Sequence, residues 1–243
     1  MMDITWLGEG TYAHRGLHGG GAEGLPIENS RSAFAAAIAR GLGIECDVQI
    51  SQDGEAMVFH DWQLERLTGR AGSVRARNAA ELRAFTLKES TDRIQSLPEL
   101  LDQIDGAVPL LVEIKSRRDR PFVPICAAVE RAVSSYGGHV AIMSFDPRIS
   151  NWFWRNAAHV VRGLVVTEEG RRGVWGFFGR HAALRHARPH FLAYDIRDLP
   201  SGFASRQREQ GLPVLTWTVN TPELRQLAAQ YADAPIAEGA GLP

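Results

Sequence analysis

A (β/α)8 barrel is the fold this sequence predicts, on three observations. The chain has 243 residues, which suits one large α/β domain better than two small ones. Short apolar runs alternate with helix-like stretches about eight times, the order and size of such a barrel. The charged residues able to do chemistry fall at the carboxyl ends of the predicted strands, the rim where barrels carry their sites. A doubly wound open sheet is the competing arrangement. It normally carries Gly-x-Gly-x-x-Gly after the first strand, and here Gly16 is followed by Leu17 and His18.

Residues 11–15 read as a short first strand ending in His14-Arg15-Gly16. A glycine-rich loop over 16–26 follows, with Gly19, Gly20 and Gly21 in a row. Asn29 or Ser30 caps a helix whose Ala33, Phe34, Ala37 and Ile38 recur at helical spacing, and Gly41 and Gly43 stop it. The second strand is 44–50; after the turn Asp53-Gly54, Met57-Val58-Phe59 forms a brief strand ending in His60-Asp61. Residues 62–95 are polar, arginine-rich and broken by Gly69 and Gly72, and read as a small insertion after the second strand. Ser96-Leu97-Pro98-Glu99 is a capping box with proline at the first helical position.

The alternation then continues: strand 109–115, helix 121–135, strand 139–144, helix 147–157 and strand 161–166. Residues 171–188 hold five arginines, two histidines and no acid, with Trp175, Phe177 and Phe178 among them. This stretch reads as a helix packed on the barrel with its arginines in water, and membrane contact is not expected. Strands at 191–195, 213–219 and near Ile236 complete the series, with Pro222 opening the last helix.

The second strand carries the strongest chemical signal. Side chains alternate along a strand, so Ile44, Cys46, Val48 and Ile50 point one way and Glu45, Asp47 and Gln49 the other. Two carboxylates two residues apart on one face repel, and a cation between them removes that cost. Glu113 and Lys115 share a face at the end of the next barrel strand, where a plain same-face ion pair is the ordinary alternative. His14, Arg15 and His60 fall on the same rim. Three carboxylates without a cysteine or a His-x-His pair suit a hard, oxygen-preferring ion such as Mg²⁺ or Ca²⁺. Arginine and lysine beside that ion suit a small anionic substrate, most naturally a phosphate.

Composition narrows the remaining classes. A formal net charge of −1 gives no global field that draws in nucleic acid. Cys46 and Cys126 are too few for a disulfide framework, and residues 1–11 lack the pattern of a signal peptide, so a reduced, cytoplasmic setting is expected.

His14-Arg15-Gly16, Pro26-x-Glu28-Asn29-Ser30, Glu45-x-Asp47-Val48, Asp53-Gly54 and His60-Asp61 follow one another at the spacing of the glycerophosphodiester phosphodiesterases. Ser96-Leu97-Pro98-Glu99-Leu100, Glu113-Ile114-Lys115, Ser144-Phe145 and Trp217-Thr218-Val219-Asn220 extend the resemblance over nearly the whole chain. It implies a (β/α)8 barrel and metal-dependent hydrolysis of glycerophosphodiesters to sn-glycerol 3-phosphate and an alcohol. Glu45, Asp47 and Glu113 look like the ligands of one divalent cation, Mg²⁺ or Ca²⁺. His14 and His60 look like the general acid and base, Arg15 and Lys115 like the phosphate contacts, and Trp217 like an apolar wall at the mouth. Glu28 reads mainly as the start of a helix. The family usually closes its last strand with Thr-Asp where this chain has Ala237-Glu238, and neither Glu238 nor Asp195 receives a role.

Three rivals remain. A phospholipase D-like relative acting on lysophospholipids needs an apolar groove, which these short loops do not supply. A catalytically silent barrel that binds phosphorylated metabolites should have lost a ligand or a histidine, and all five are in place. A metal-dependent amidohydrolase wants a His-x-His pair on its first strand, and there is none.

Overall fold

Eight parallel strands close on themselves in a computed structural model that describes residues 3–19, 25–170 and 172–243. In chain order the elements are β1 (Tyr12–Ala13), α1 (Arg31–Ala39), β2 (Gly43–Ile50), β3 (Ala56–Val58), α2 (Glu65–Thr68), α3 (Ala79–Ala84), α4 (Leu97–Ile104) and β4 (Leu110–Ile114). They continue as α5 (Val123–Val133), β5 (Val140–Ser144), α6 (Pro147–Asn156), β6 (Val161–Val166), α7 (Val174–Ala187), β7 (Phe191–Asp195), α8 (Gly202–Glu209), β8 (Val214–Val219), α9 (Pro222–Tyr231) and β9 (Ala234–Ala237). The strands run β1-β2-β4-β5-β6-β7-β8-β9, and β1 pairs with both β2 and β9 to close the barrel. The predicted (β/α)8 barrel is therefore the fold. Gly20, Gly21 and Arg171, singled out in the sequence, lie outside the described residues.

Alternation along each strand builds two layers. Ile44, Cys46 and Val48 face outward into the main core shared with α1, α4, α5 and α6. Leu111, Ala141, Met143, Val165, Phe191, Ala193 and Leu215 fill the inside of the barrel. Gly163 on β6 makes room there, because a Cβ at that position would sit 2.3 Å from the Phe191 ring. Both cysteines are free and buried.

Some local readings shift. The carboxylate strand ends at Ile50 as read and begins one residue earlier, at Gly43, and β3 folds back antiparallel on its end, Val48 opposite Val58. His14 and Arg15 lie in the turn after β1 rather than inside it. Ser30 is the cap of α1, its hydroxyl accepting from Ala33 N–H, and Asn29 is left for the site. The Ser96–Glu99 capping box is present, with Pro98 second rather than first in α4. Residues 62–95 contain α2 and α3 and wrap a small apolar cluster of their own, including Phe59, Leu64, Leu82 and Leu87.

One half-buried group links the fold to pH. His190, just before β7, accepts a backbone N–H from Arg162 at Nδ1, a bond that only the neutral ring makes. Burial, reinforced by the Arg162 guanidinium, pushes its pKa down from 6.5 to about 4. The unfolded chain therefore binds a proton that the folded one refuses, and stability falls as pH drops from about 6.5 to about 4. The urea midpoint of the wild type should fall more between neutral pH and pH ~4.5 than that of His190→Asn. Equal falls would remove His190 from the acid response.

Candidate active site

The register of the barrel decides which charges meet. Glu45 lies opposite Leu111 and Asp47 opposite Glu113 across β2 and β4, with all three carboxylates on the inward face. One oxygen from each of Glu45, Asp47 and Glu113 falls within 4.8 Å of the others, as a shared cation requires. Glu45 and Asp47 are buried to 1% and 2% exposure, so bulk water does not screen them.

Their electrostatics are unequal. Burial works to raise the carboxyl of Asp47, but Lys115 and then Arg15 outweigh it and hold Asp47 ionised well below the usual range. Lys115 Nζ is 3.1 Å from Asp47 Oδ1 and 3.0 Å from Glu113 Oε1. Asn29 Nδ2 donates to Asp47 Oδ2 at 3.0 Å. Glu45 accepts the backbone N–H of Arg15 at 3.0 Å, and among the described residues no lysine or arginine side chain pairs with it. Burial, then Asp47 and Glu113, push the Glu45 carboxyl well up, and burial raises Glu113 despite Lys115. Lys115 thus spans two of the three carboxylates and leaves Glu45 to the backbone N–H and the charge of Arg15. Arg15 Nε lies 3.2 Å from Asp47 Oδ2 yet is a buried donor with no hydrogen bond. An all-oxygen set of three carboxylates fits a hard divalent cation, and the unsatisfied Arg15 N–H beside it fits an acceptor such as a phosphate oxygen.

Arg15 and Asn29 are held by backbone geometry that side chains rarely adopt. Both have positive φ, 56° and 54°, and Asn29 N–H donates to Arg15 C=O at 2.9 Å. Such conformations cost of order 1–3 kcal/mol and persist where surroundings over-determine them. The turn aims Arg15 at Glu28 (Nη1–Oε1 2.9 Å) and Asp47, and Asn29 at Asp47.

Both histidines are oriented by a carboxylate. His14 Nδ1 is 2.7 Å from Glu238 Oε2, and His60 Nδ1 is 2.9 Å from Asp61 Oδ1. Each carboxylate thus fixes its ring through Nδ1 and leaves Nε2 turned away from it. Arg66 bonds both Asp61 and Glu28, and its hydrogen bonds are the largest influence that takes Asp61 down to about 2. Gln49 Nε2 donates to the carbonyls of Phe59, His60 and Asp61 and fixes the loop that carries His60. Trp217 donates from Nε1 to Ala193 C=O and meets Phe145 edge-on, centroids 5.4 Å apart, half-buried at the mouth.

The structure thus collects Glu45, Asp47, Glu113, Lys115 and Arg15 in one cluster, with His14 and His60 each tied to a carboxylate on the same rim. Glu28 is not the start of a helix, since α1 begins at Arg31; it anchors Arg15 and Arg66. Asp195 is occupied by Arg197 (2.6 Å). The residues missed are Glu238, Asp61, Asn29 and Gln49. A signal for Glu238 lies in barrel closure: β1 pairs with β9 as Ala13↔Ala237, so the next residues, His14 and Glu238, must be neighbours.

A model of the glycerophosphoryl diester phosphodiesterase family matches residues 14–237. A glycerophosphodiester phosphodiesterase of Caldanaerobacter subterraneus is 28% identical over 85% of each chain. The protein YqiK of Bacillus subtilis is 32% identical over 93% of each. Among solved structures, an Oleispira antarctica phosphodiesterase in complex with the product sn-glycerol-3-phosphate superposes with a TM-score of 0.80 at 22% identity, over 94% of this chain and 92% of that one.

Proposed function

This chain belongs to the glycerophosphoryl diester phosphodiesterase family and is an enzyme of that class, and on that premise we propose a divalent-cation-dependent reaction in which His14 and His60 move the protons. The substrates are glycerophosphodiesters, and the products are sn-glycerol 3-phosphate and an alcohol. One observation carries the reading: three buried carboxylates, Glu45, Asp47 and Glu113, bring ligand oxygens within 4.8 Å of one another beside two histidines.

Glu45, Asp47 and Glu113 would hold the cation, which when bound would supply positive charge at the phosphate. Arg15 and Lys115 add positive charge at the same place and draw the phosphodiester anion into the mouth. One histidine takes the proton from the attacking oxygen through Nε2, and the other gives its Nε2 proton to the leaving alkoxide. Glu238 and Asp61 keep each ring turned so that Nε2 faces the substrate. Trp217 and Phe145 give the glycerol or alcohol moiety an apolar wall. Release of glycerol 3-phosphate from glycerophosphodiesters of choline, ethanolamine, inositol and glycerol tests the substrate class. No release from any of the four would overturn it.

Glu238 has its own test. Glu238→Gln keeps the size but loses the charged acceptor on His14 Nδ1, and should forfeit part of the ~10²–10⁴-fold that positioned proton transfer supplies. Because Glu238 orients a ring and does not bind substrate, kcat should fall with KM nearly unchanged. Wild-type kcat in this variant would leave Glu238 outside the reaction.

A further inference from the structure

The first half of α7 is built for something outside this chain. Trp175 is 88% exposed, Val174 69%, Phe178 60% and Phe177 43%, and the only fully buried residue of the helix is Ala187 near its end. The second half packs, with Ala183, Leu184 and Ala187 lying on the outer face of β6 and β7. The expectation of a helix packed on the barrel therefore holds for one half only. Among the described residues the other half is held at its inner edge, by Phe177 against the His181 ring and Arg180 against Glu168, while Val174, Trp175 and Phe178 project outward. Its cap, Gly173, offers no side-chain bond, and glycines 176 and 179 each weaken a helix. A Cβ on Gly179 would meet open space, so close packing does not explain that glycine.

Position and charge say what the face meets. Because α7 follows β6, its amino end lies on the side where the strands emerge, the same rim as His14, His60 and the carboxylates. Phe145, 47% exposed on the loop after neighbouring β5, and Leu25, 55% exposed after β1, add to the same side. From 172 to 188 the chain carries four arginines and two histidines and no acid. The nearest acids are already matched: Glu168 with Arg180 at 3.1 Å, Asp198 with Arg172 at 3.0 Å, and Glu169 and Asp195 with Arg197. Among the described residues, exposed Arg185 and Arg206 have no ion-pair partner and are the surplus charge. Projecting tryptophan and phenylalanine with arginine behind them match an anionic bilayer surface, where rings enter the headgroup boundary and cations stay in water. Side chains this exposed stand away from the body, which suits insertion better than the flat contact of a second copy.

We propose that the amino-terminal half of α7, led by Trp175 and Phe178, docks the barrel mouth onto an anionic phospholipid surface. Sedimentation with vesicles of equal parts phosphatidylglycerol and phosphatidylcholine tests this. The wild type should co-sediment, and binding should weaken with salt and with pure phosphatidylcholine. The double variant Trp175→Ser/Phe178→Ser should bind ~10-fold or more weakly. It should still release glycerol 3-phosphate from a soluble glycerophosphodiester at the wild-type rate, which separates this surface from the reaction itself. No co-sedimentation of the wild type, or undiminished binding by the double variant, would overturn the proposal. So would a wild-type dimer in light scattering that the double substitution converts to monomer.

Discussion

His14→Ala and His60→Ala are each expected to lower turnover by ~10²-fold or more while substrate binding persists. The expectation follows from how each ring is held. His14 has its Nδ1 on Glu238 and His60 its Nδ1 on Asp61, at 2.7 and 2.9 Å, so neither imidazole is a freely rotating surface group. A ring fixed this way keeps one nitrogen for chemistry in a constant direction, and its loss removes a positioned proton donor or acceptor that water replaces poorly. Neither ring is needed to hold the carboxylate cluster, whose contacts run through Arg15, Asn29 and Lys115. The loss should therefore appear in kcat far more than in KM. Steady-state rates on a soluble glycerophosphodiester measure it, and a double alanine variant should be little worse than either single one, as for groups that act in one step. Near-wild-type turnover in either single variant would take that histidine out of the mechanism.

How far the site was legible depends on how far apart its members lie in the chain. The carboxylates on β2 could be read because Glu45 and Asp47 alternate with Ile44, Cys46 and Val48 at a spacing of two, and period two is a local property. Glu113 and Lys115 repeat the same pattern on the next barrel strand. Glu238 could not be read that way. It meets His14 only through the pairing of β1 with β9, which depends on the barrel closing across 224 residues of sequence. Glu28 was misread for a related reason: an acid just before Ser30 resembles a helix start, while its real partners, Arg15 and Arg66, are brought to it by the turn after β1 and by α2. The strands of the barrel were legible to within a residue or two because apolar runs and turn residues are local as well. The two halves of α7 were not distinguished, since aromatic and arginine residues at helical spacing do not reveal which of them have a wall to pack against.

Removing the divalent cation is expected to lower turnover by ~10³-fold or more, and Glu45→Gln should approach the same loss. A cation at a phosphoryl oxygen supplies several kcal/mol of charge stabilisation, and ~1.4 kcal/mol is a factor of ten in rate. Glu45 is the informative position because, among the described residues, no lysine or arginine side chain pairs with it, whereas Asp47 and Glu113 are braced by Lys115. Glutamine retains an oxygen for the Arg15 N–H that Glu45 accepts at 3.0 Å, so the turn should stay in place. The variant also removes one of three mutually repelling carboxylates, the one that burial and its two neighbours push furthest toward protonation. In chelator, Glu45→Gln should therefore unfold at a temperature no lower than the wild type does. Adding Mg²⁺ or Ca²⁺ should raise the wild-type Tm, because the ion binds only the folded cluster, and should raise that of the variant much less. This thermal comparison does not depend on catalysis, so it separates loss of the ion from loss of a reaction step. Full activity in chelator, or an equal rise in Tm for both proteins, would show that these carboxylates serve something other than a cation.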